Sequence, residues 1–114
     1  MQYPIDRFTM EAKRQLAVLD ARLATSAYLA GDAYTIADIA CYPWYGKIVE
    51  GSLYGAKEFL DVSAYPNVAR WAAAIKARPA VVRGNKVNRT WGKKSDQLHN
   101  RHARSDFDAL PRDE

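Results

Sequence analysis

Tyr34-Thr35-Ile36-Ala37-Asp38-Ile39-Ala40 carries a complete helix start. Thr35 stands at the N-cap, where its hydroxyl can accept a hydrogen bond from the N–H of Asp38. The Asp38 carboxylate can reach back to the N–H of Thr35, forming a capping box with Asp in place of the commoner Glu. Such a cap contributes about 0.5–2 kcal/mol. Tyr34 and Ile39 occupy the two staple positions that clamp the entering chain. Beyond them, Ile36, Ile39, Ala40, Trp44 and Ile48 leave little polar surface, which predicts a buried central helix. Pro43 should bend it, because proline removes an N–H and crowds the preceding turn.

Working outward, residues 25–34 form a link with a turn at Gly31-Asp32. Upstream, the spacing predicts a helix from Pro4 to Ala24, with Phe8, Ala12, Leu16, Leu19 and Leu23 on one face. Pro4 suits a first turn and Asp6 complements the positive helix end. Arg7, Glu11, Lys13, Arg14 and Arg22 take the opposite face, with Glu11 four residues after Arg7. Downstream, residues 51–64 read as irregular, with one turn at Ala56 to Leu60. Tyr65-Pro66 opens a third helix to Ala77, whose inward stripe is Val68, Trp71, Ala72 and Ile75, with Arg70 and Lys76 outward. Pro79 ends it or starts a further turn, and Gly84 reads as a left-handed cap. From Asn85 the apolar periodicity fades into a tail in which Ser95-Asp96 can cap a short helix to Ala103. No period-two strand pattern and no internal repeat occur, so the chain reads as all-α.

The 114 residues are 48% hydrophobic and 26% charged, the composition of one small soluble domain. No apolar run approaches the ~20 residues a membrane-spanning helix requires. The start, Met1-Gln2-Tyr3-Pro4, resembles no secretory signal. The single cysteine, Cys41, excludes an internal disulfide framework, and a cytoplasmic location is the expectation. The net charge of +4 is spread out: residues 1–84 hold 10 Lys/Arg against 8 Asp/Glu, and residues 85–114 hold 7 against 5. A nucleic-acid binder concentrates its cations on one face, so neither nucleic acid nor membrane is expected as a partner.

Two blocks in order are familiar. Ala30-Gly31-Asp32 through Ala40 with Pro43-Trp44, then Tyr65-Pro66-Asn67-Val68 with Trp71 and Ala77-Arg78-Pro79-Ala80-Val81, resemble the C-terminal domain of glutathione transferases. A narrower match joins Ile5-Asp6-Arg7-Phe8-Thr9-Met10-Glu11-Ala12-Lys13-Arg14 to the bacterial glutathione-dependent disulfide-bond oxidoreductases within that family. Val87-Asn88-Arg89-Thr90 with Gly92, Gln97-Leu98-His99 with Arg101-His102, and Ser105-Asp106-Phe107 point to the same subgroup. The resemblance implies a transferase-type helical bundle over residues 1–84 and an extended tail over 85–114. It also implies that a thioredoxin-like domain and the first bundle helix lie outside this chain. The face of Phe8, Leu16, Leu19 and Leu23 would then be left without its partner. The implied activity is attack by glutathione, as co-substrate, on a disulfide or small electrophile in a homodimer, with the chain alone inactive or weakly binding. The alternative is a non-enzymatic assembly module of transferase-like fold.

Within this frame the chain itself supplies no catalytic residue. The resemblance carries one glutathione-binding position, Arg7, whose planar fork suits a glutathione carboxylate; the alternative is a surface arginine paired with Glu11. Tyr42, Trp44 and Tyr45 either pack the core or line the second-substrate pocket. Thr35 and Asp38 are structural helix caps. Cys41 lacks a basic neighbour and reads as a small buried hydrophobe rather than a nucleophile. His99 and His102 alone make an incomplete metal site, so no metal is expected. Asn88-Arg89-Thr90 matches a glycosylation acceptor without a secretory context.

Overall fold

The first helix, α1 (Gln2–Leu23), follows the predicted face only in its second half. The computed structural model describes residues 1–52 and 55–97. Leu16, Leu19 and Leu23 are buried, whereas Phe8 is exposed and Ala12 half-buried. The stripe predicted from Phe8 onward is therefore fully covered only over its last two turns. Equally, the expectation that Leu16, Leu19 and Leu23 would be left uncovered is overturned.

A loop with a single antiparallel bridge between Tyr28 and Gly31 leads to α2 (Ile36–Cys41). The expected capping box is formed, with Thr35 N–H donating to Asp38 Oδ2 at 3.0 Å and Ala37 N–H donating to Thr35 Oγ1 at 3.3 Å. Of the two staple residues, Ile39 is exposed and Tyr34 sets its ring edge-on to Tyr28 at 5.8 Å.

Proline decides the path of the chain after α2. Pro43 has no N–H for an i→i−4 bond, and the chain widens into a π-helical turn over Tyr42–Gly46 before the short α3 (Lys47–Val49). The widened turn swings Tyr42 into the core, where its ring lies edge-on to Trp71 at 6.2 Å. Gly46 makes room for it, since a Cβ there would stand 2.4 Å from the Tyr42 ring. The expectation of a buried central helix is overturned, because Ile36, Ile39 and Trp44 are 83%, 54% and 64% exposed. The apolar residues are present, but only one side of this segment meets the rest of the described chain.

A 3₁₀ turn (Val62–Ala64) precedes α4 (Pro66–Lys76), which buries Val68, Trp71, Ala72 and Ile75 as predicted. α1 and α4 complete each other's ends. Asp20 of α1 accepts from the N–H groups of Asn67 at 2.8 Å and Val68 at 3.1 Å, two of the orphan donors of α4. Arg70 of α4 donates in return to the carbonyl oxygens of Leu23 at 2.9 Å and Ser26 at 3.3 Å, at and just beyond the end of α1. Arg70, exposed as predicted, thus also caps the first helix.

Residues 1–74 form one compact unit, and a second begins at Ile75. In the second, α5 (Pro79–Gly84) ends with Gly84 as a helical residue and Asn85 in the right-handed region, so the left-handed cap predicted at Gly84 is absent. Positive φ appears instead at Asn88 and Gly92, where Arg89 lies over the Trp91 ring at 5.6 Å. A 3₁₀ turn occupies Lys94–Asp96, and the remainder of the helix expected to Ala103 lies outside the described residues. Among the described residues no strand forms, and no helix is long and apolar enough to cross a membrane.

Candidate functional site

Tyr3, Arg7, Met10 and Arg14 recur at spacings of four, three and four, and so share one face of α1. With Asp6 and Glu11 they line an open hollow of about 580 Å³. The Arg7 guanidinium is exposed there, and no hydrogen bond or ion pair within the described residues occupies it.

Glu11 does not pair with Arg7, the alternative left open for that arginine. It takes a two-pronged bond from Arg14, with Nε to Oε2 at 2.9 Å and Nη2 to Oε1 at 2.7 Å. The Gln15 amide donates to Glu11 Oε1 at 3.0 Å, and Tyr45 Oη donates to Gln15 Oε1 at 2.8 Å. These contacts hold the Glu11 carboxyl down to about 2, chiefly through the Arg14 hydrogen bonds, then Gln15, with the charges of Arg14 and Arg7 adding. The side chain stays ionised throughout the neutral range.

A second groove, of about 350 Å³, adjoins the hollow through Arg14. Val18, Leu19 and Leu29 give it an apolar floor, and Arg22, Tyr45 and Cys41 stand around it. Cys41 is half-buried, and desolvation together with the Asp38 charge pushes its thiol up, so it stays protonated at neutral pH.

The three aromatic candidates part company. Tyr42 is buried against Trp71 and donates from Oη to Glu50 Oε1 at 2.9 Å. Trp44 points to solvent, and Tyr45 lines the groove while bracing Gln15. The helix cap Asp38 proves to be more than a cap. It is fully buried and also accepts from Trp71 Nε1 at 2.7 Å and from Leu29 N–H at 3.1 Å. Of these roles, the Glu11–Arg14–Gln15 cluster was available from helical spacing alone, whereas Tyr45 lies 30 residues from Gln15 and gave no local signal. His99 and His102 lie outside the described residues, and among those described no group of three or more His, Cys, Asp or Glu side chains could hold a metal.

Residues 2–74 match the family described as the glutathione S-transferase C-terminal domain. The chain belongs to that family. The chain is 54% identical to disulfide-bond oxidoreductase YghU of Escherichia coli over 99% of its own length and 39% of that protein's. Disulfide-bond oxidoreductase YfcG of the same organism is 38% identical over 68% of this chain and 33% of its own. The crystal structure of glutathione transferase YghU from Streptococcus pneumoniae, complexed with glutathione, superposes with a TM-score of 0.72. It is 58% identical and covers 74% of this chain and 33% of that one. The chain therefore spans about two fifths or less of these relatives. The resemblance to the family and to its disulfide-bond oxidoreductases is borne out, as is the all-α transferase C-terminal fold.

Proposed function

We propose that this chain is the helical, substrate-side part of a glutathione-dependent disulfide-bond oxidoreductase, and that Arg7 holds one carboxylate of glutathione. The observation that carries the assignment is the exposed guanidinium of Arg7, uncommitted within a hollow large enough for a peptide end. A guanidinium binds a carboxylate through two parallel charge-assisted bonds, and glutathione carries two carboxylates. In this reading a thioredoxin-like domain of a longer cytoplasmic, homodimeric protein activates the glutathione thiol, which attacks a disulfide or a small electrophile. Tyr45 and Trp44 are offered to the second substrate, whereas the burial of Tyr42 supports a packing role.

Calorimetric titration of glutathione into the purified chain tests the assignment, with Arg7→Ala as the control. Binding that disappears in Arg7→Ala supports it, and binding that survives that substitution sinks it. A second reading, a non-enzymatic interaction module, draws on the exposed apolar residues Ile36, Ile39 and Trp44. It predicts a stable complex with a larger protein that glutathione does not perturb.

A further inference from the structure

We propose that the second unit carries a binding surface for single-stranded nucleic acid, in which Lys86, Arg89, Lys93 and Lys94 meet phosphates and Trp91 stacks on a base.

The even spread of charge read from residues 1–84 and 85–114 does not survive division at Ile75, where the second unit begins. From Val62 to Ser95 the sequence holds eight Lys/Arg and no Asp or Glu. Residues 1–74 carry 7 cations against 8 anions, residues 75–97 carry 7 against 1, and residues 98–114 carry 3 against 4. The whole positive excess of the chain therefore sits in residues 75–97. Cations crowded in this way repel one another, and a polyanion relieves the repulsion while releasing its own counterions.

α5 has no buried residue, and after it the backbone runs through successive turns. Lys86 N–H donates to the Arg83 carbonyl at 3.0 Å and Arg89 N–H to the Lys86 carbonyl at 3.2 Å. The ends of a turn lie within about 7 Å of each other, so cations recur at short intervals along a path that is not a helix. Lys93 and Lys94 are exposed. Among the described residues, the side chains of Lys86, Lys93 and Lys94 enter no ion pair or hydrogen bond.

Cations alone suit any anionic surface; Trp91 selects among them. Its ring is 67% exposed, and Arg89 donates from Nε to its carbonyl at 3.1 Å while lying over the indole. Gly92 permits this fold-back, since a Cβ there would stand 3.0 Å from Arg89 Nη2 at a φ of 85°. An exposed aromatic ring beside a guanidinium, inside a basic stretch, is the arrangement on which unpaired bases stack. A duplex keeps its base faces inside and shows only their edges. An anionic bilayer favours a helix with one apolar face. Here α5 has six residues, and Val87 and Trp91 lie beyond its end.

The test is fluorescence anisotropy of a labelled oligothymidylate titrated with the full chain between about 50 and about 200 mM salt. Affinity should fall with a log–log slope of about −3, the value for four phosphates at about −0.7 each. Lys93→Gln with Lys94→Gln should flatten that slope by about 1.4. Lys13→Gln with Lys57→Gln removes the same charge from the first unit and should leave the slope unchanged. Trp91→Ala should weaken binding at least about fivefold at constant slope. Circular dichroism checks that each variant keeps its helix content. The proposal is overturned by no binding at the lowest salt, by equal losses in the two lysine pairs, or by an unchanged affinity in Trp91→Ala. Tighter binding to phosphatidylglycerol vesicles than to oligothymidylate overturns it as well, and assigns the surface to a membrane.

Discussion

Two carboxylates in this chain each accept three hydrogen bonds, and they do opposite things. Asp38 is fully buried and gathers donors from Leu29, Thr35 and Trp71, nine residues before it to 33 after. Glu11 is 44% exposed and takes all three from Arg14 and Gln15 on its own helix. Hydrogen-bond number does not distinguish them; burial and the origin of the donors do. A buried acceptor fed by separate segments ties those segments together, since each donor would be orphaned without it. An exposed acceptor fed by its own helix adds little to the fold and leaves a held charge facing water.

That contrast should break first at Asp38. Asp38→Ala removes the helix cap and strands the buried Trp71 N–H together with two backbone donors, so it should cost about 3 kcal/mol or more. A urea midpoint within the error of wild type would show that Asp38 is not the tie described. Asp20→Ala, which uncaps α4 from α1, should cost about 1–2 kcal/mol on the same measurement. An unchanged stability there would mean that water replaces the cap without loss.

The smallest effect belongs to Glu11. Its carboxyl is depressed to about 2, so its contribution to stability is fully present above the ordinary carboxylate range and is lost as pH falls through about 2. The side chain is exposed and the increment small, so the reading that matters is the titration itself. NMR of the Glu11 carboxyl carbon should show a midpoint near 2 that rises toward ordinary values in Arg14→Ala. A midpoint already near 4 in the wild-type chain would dissolve the network on which the contrast depends.

The parts that were legible rest on local chemistry. The capping box at Thr35 and Asp38 involves residues three apart, and the Val68, Trp71, Ala72 and Ile75 stripe follows from helical period alone. Arg7 is proposed only through the resemblance, because an exposed arginine on a charged helix face has no distinguishing spacing. What escaped were contacts between distant segments. Nothing around Arg70 shows that it closes the end of α1, and nothing around Tyr45 shows that it braces Gln15.

By itself, then, the amino-acid order determined the all-α class, the helix starts and the membership of the transferase family, because caps, proline positions and apolar period act over one or two turns. Tertiary structure alone decided which apolar residues are covered. Ile36, Ile39 and Trp44 satisfy the pattern of a buried helix yet face outward, while Tyr42 turns inward through the widened turn at Pro43. Periodicity says that a face is apolar; only the position of neighbouring segments says whether anything lies against it. The same holds for charge. Asp38 and Glu11 are both helix carboxylates in sequence, and burial makes one a tie of the fold and leaves the other open to water.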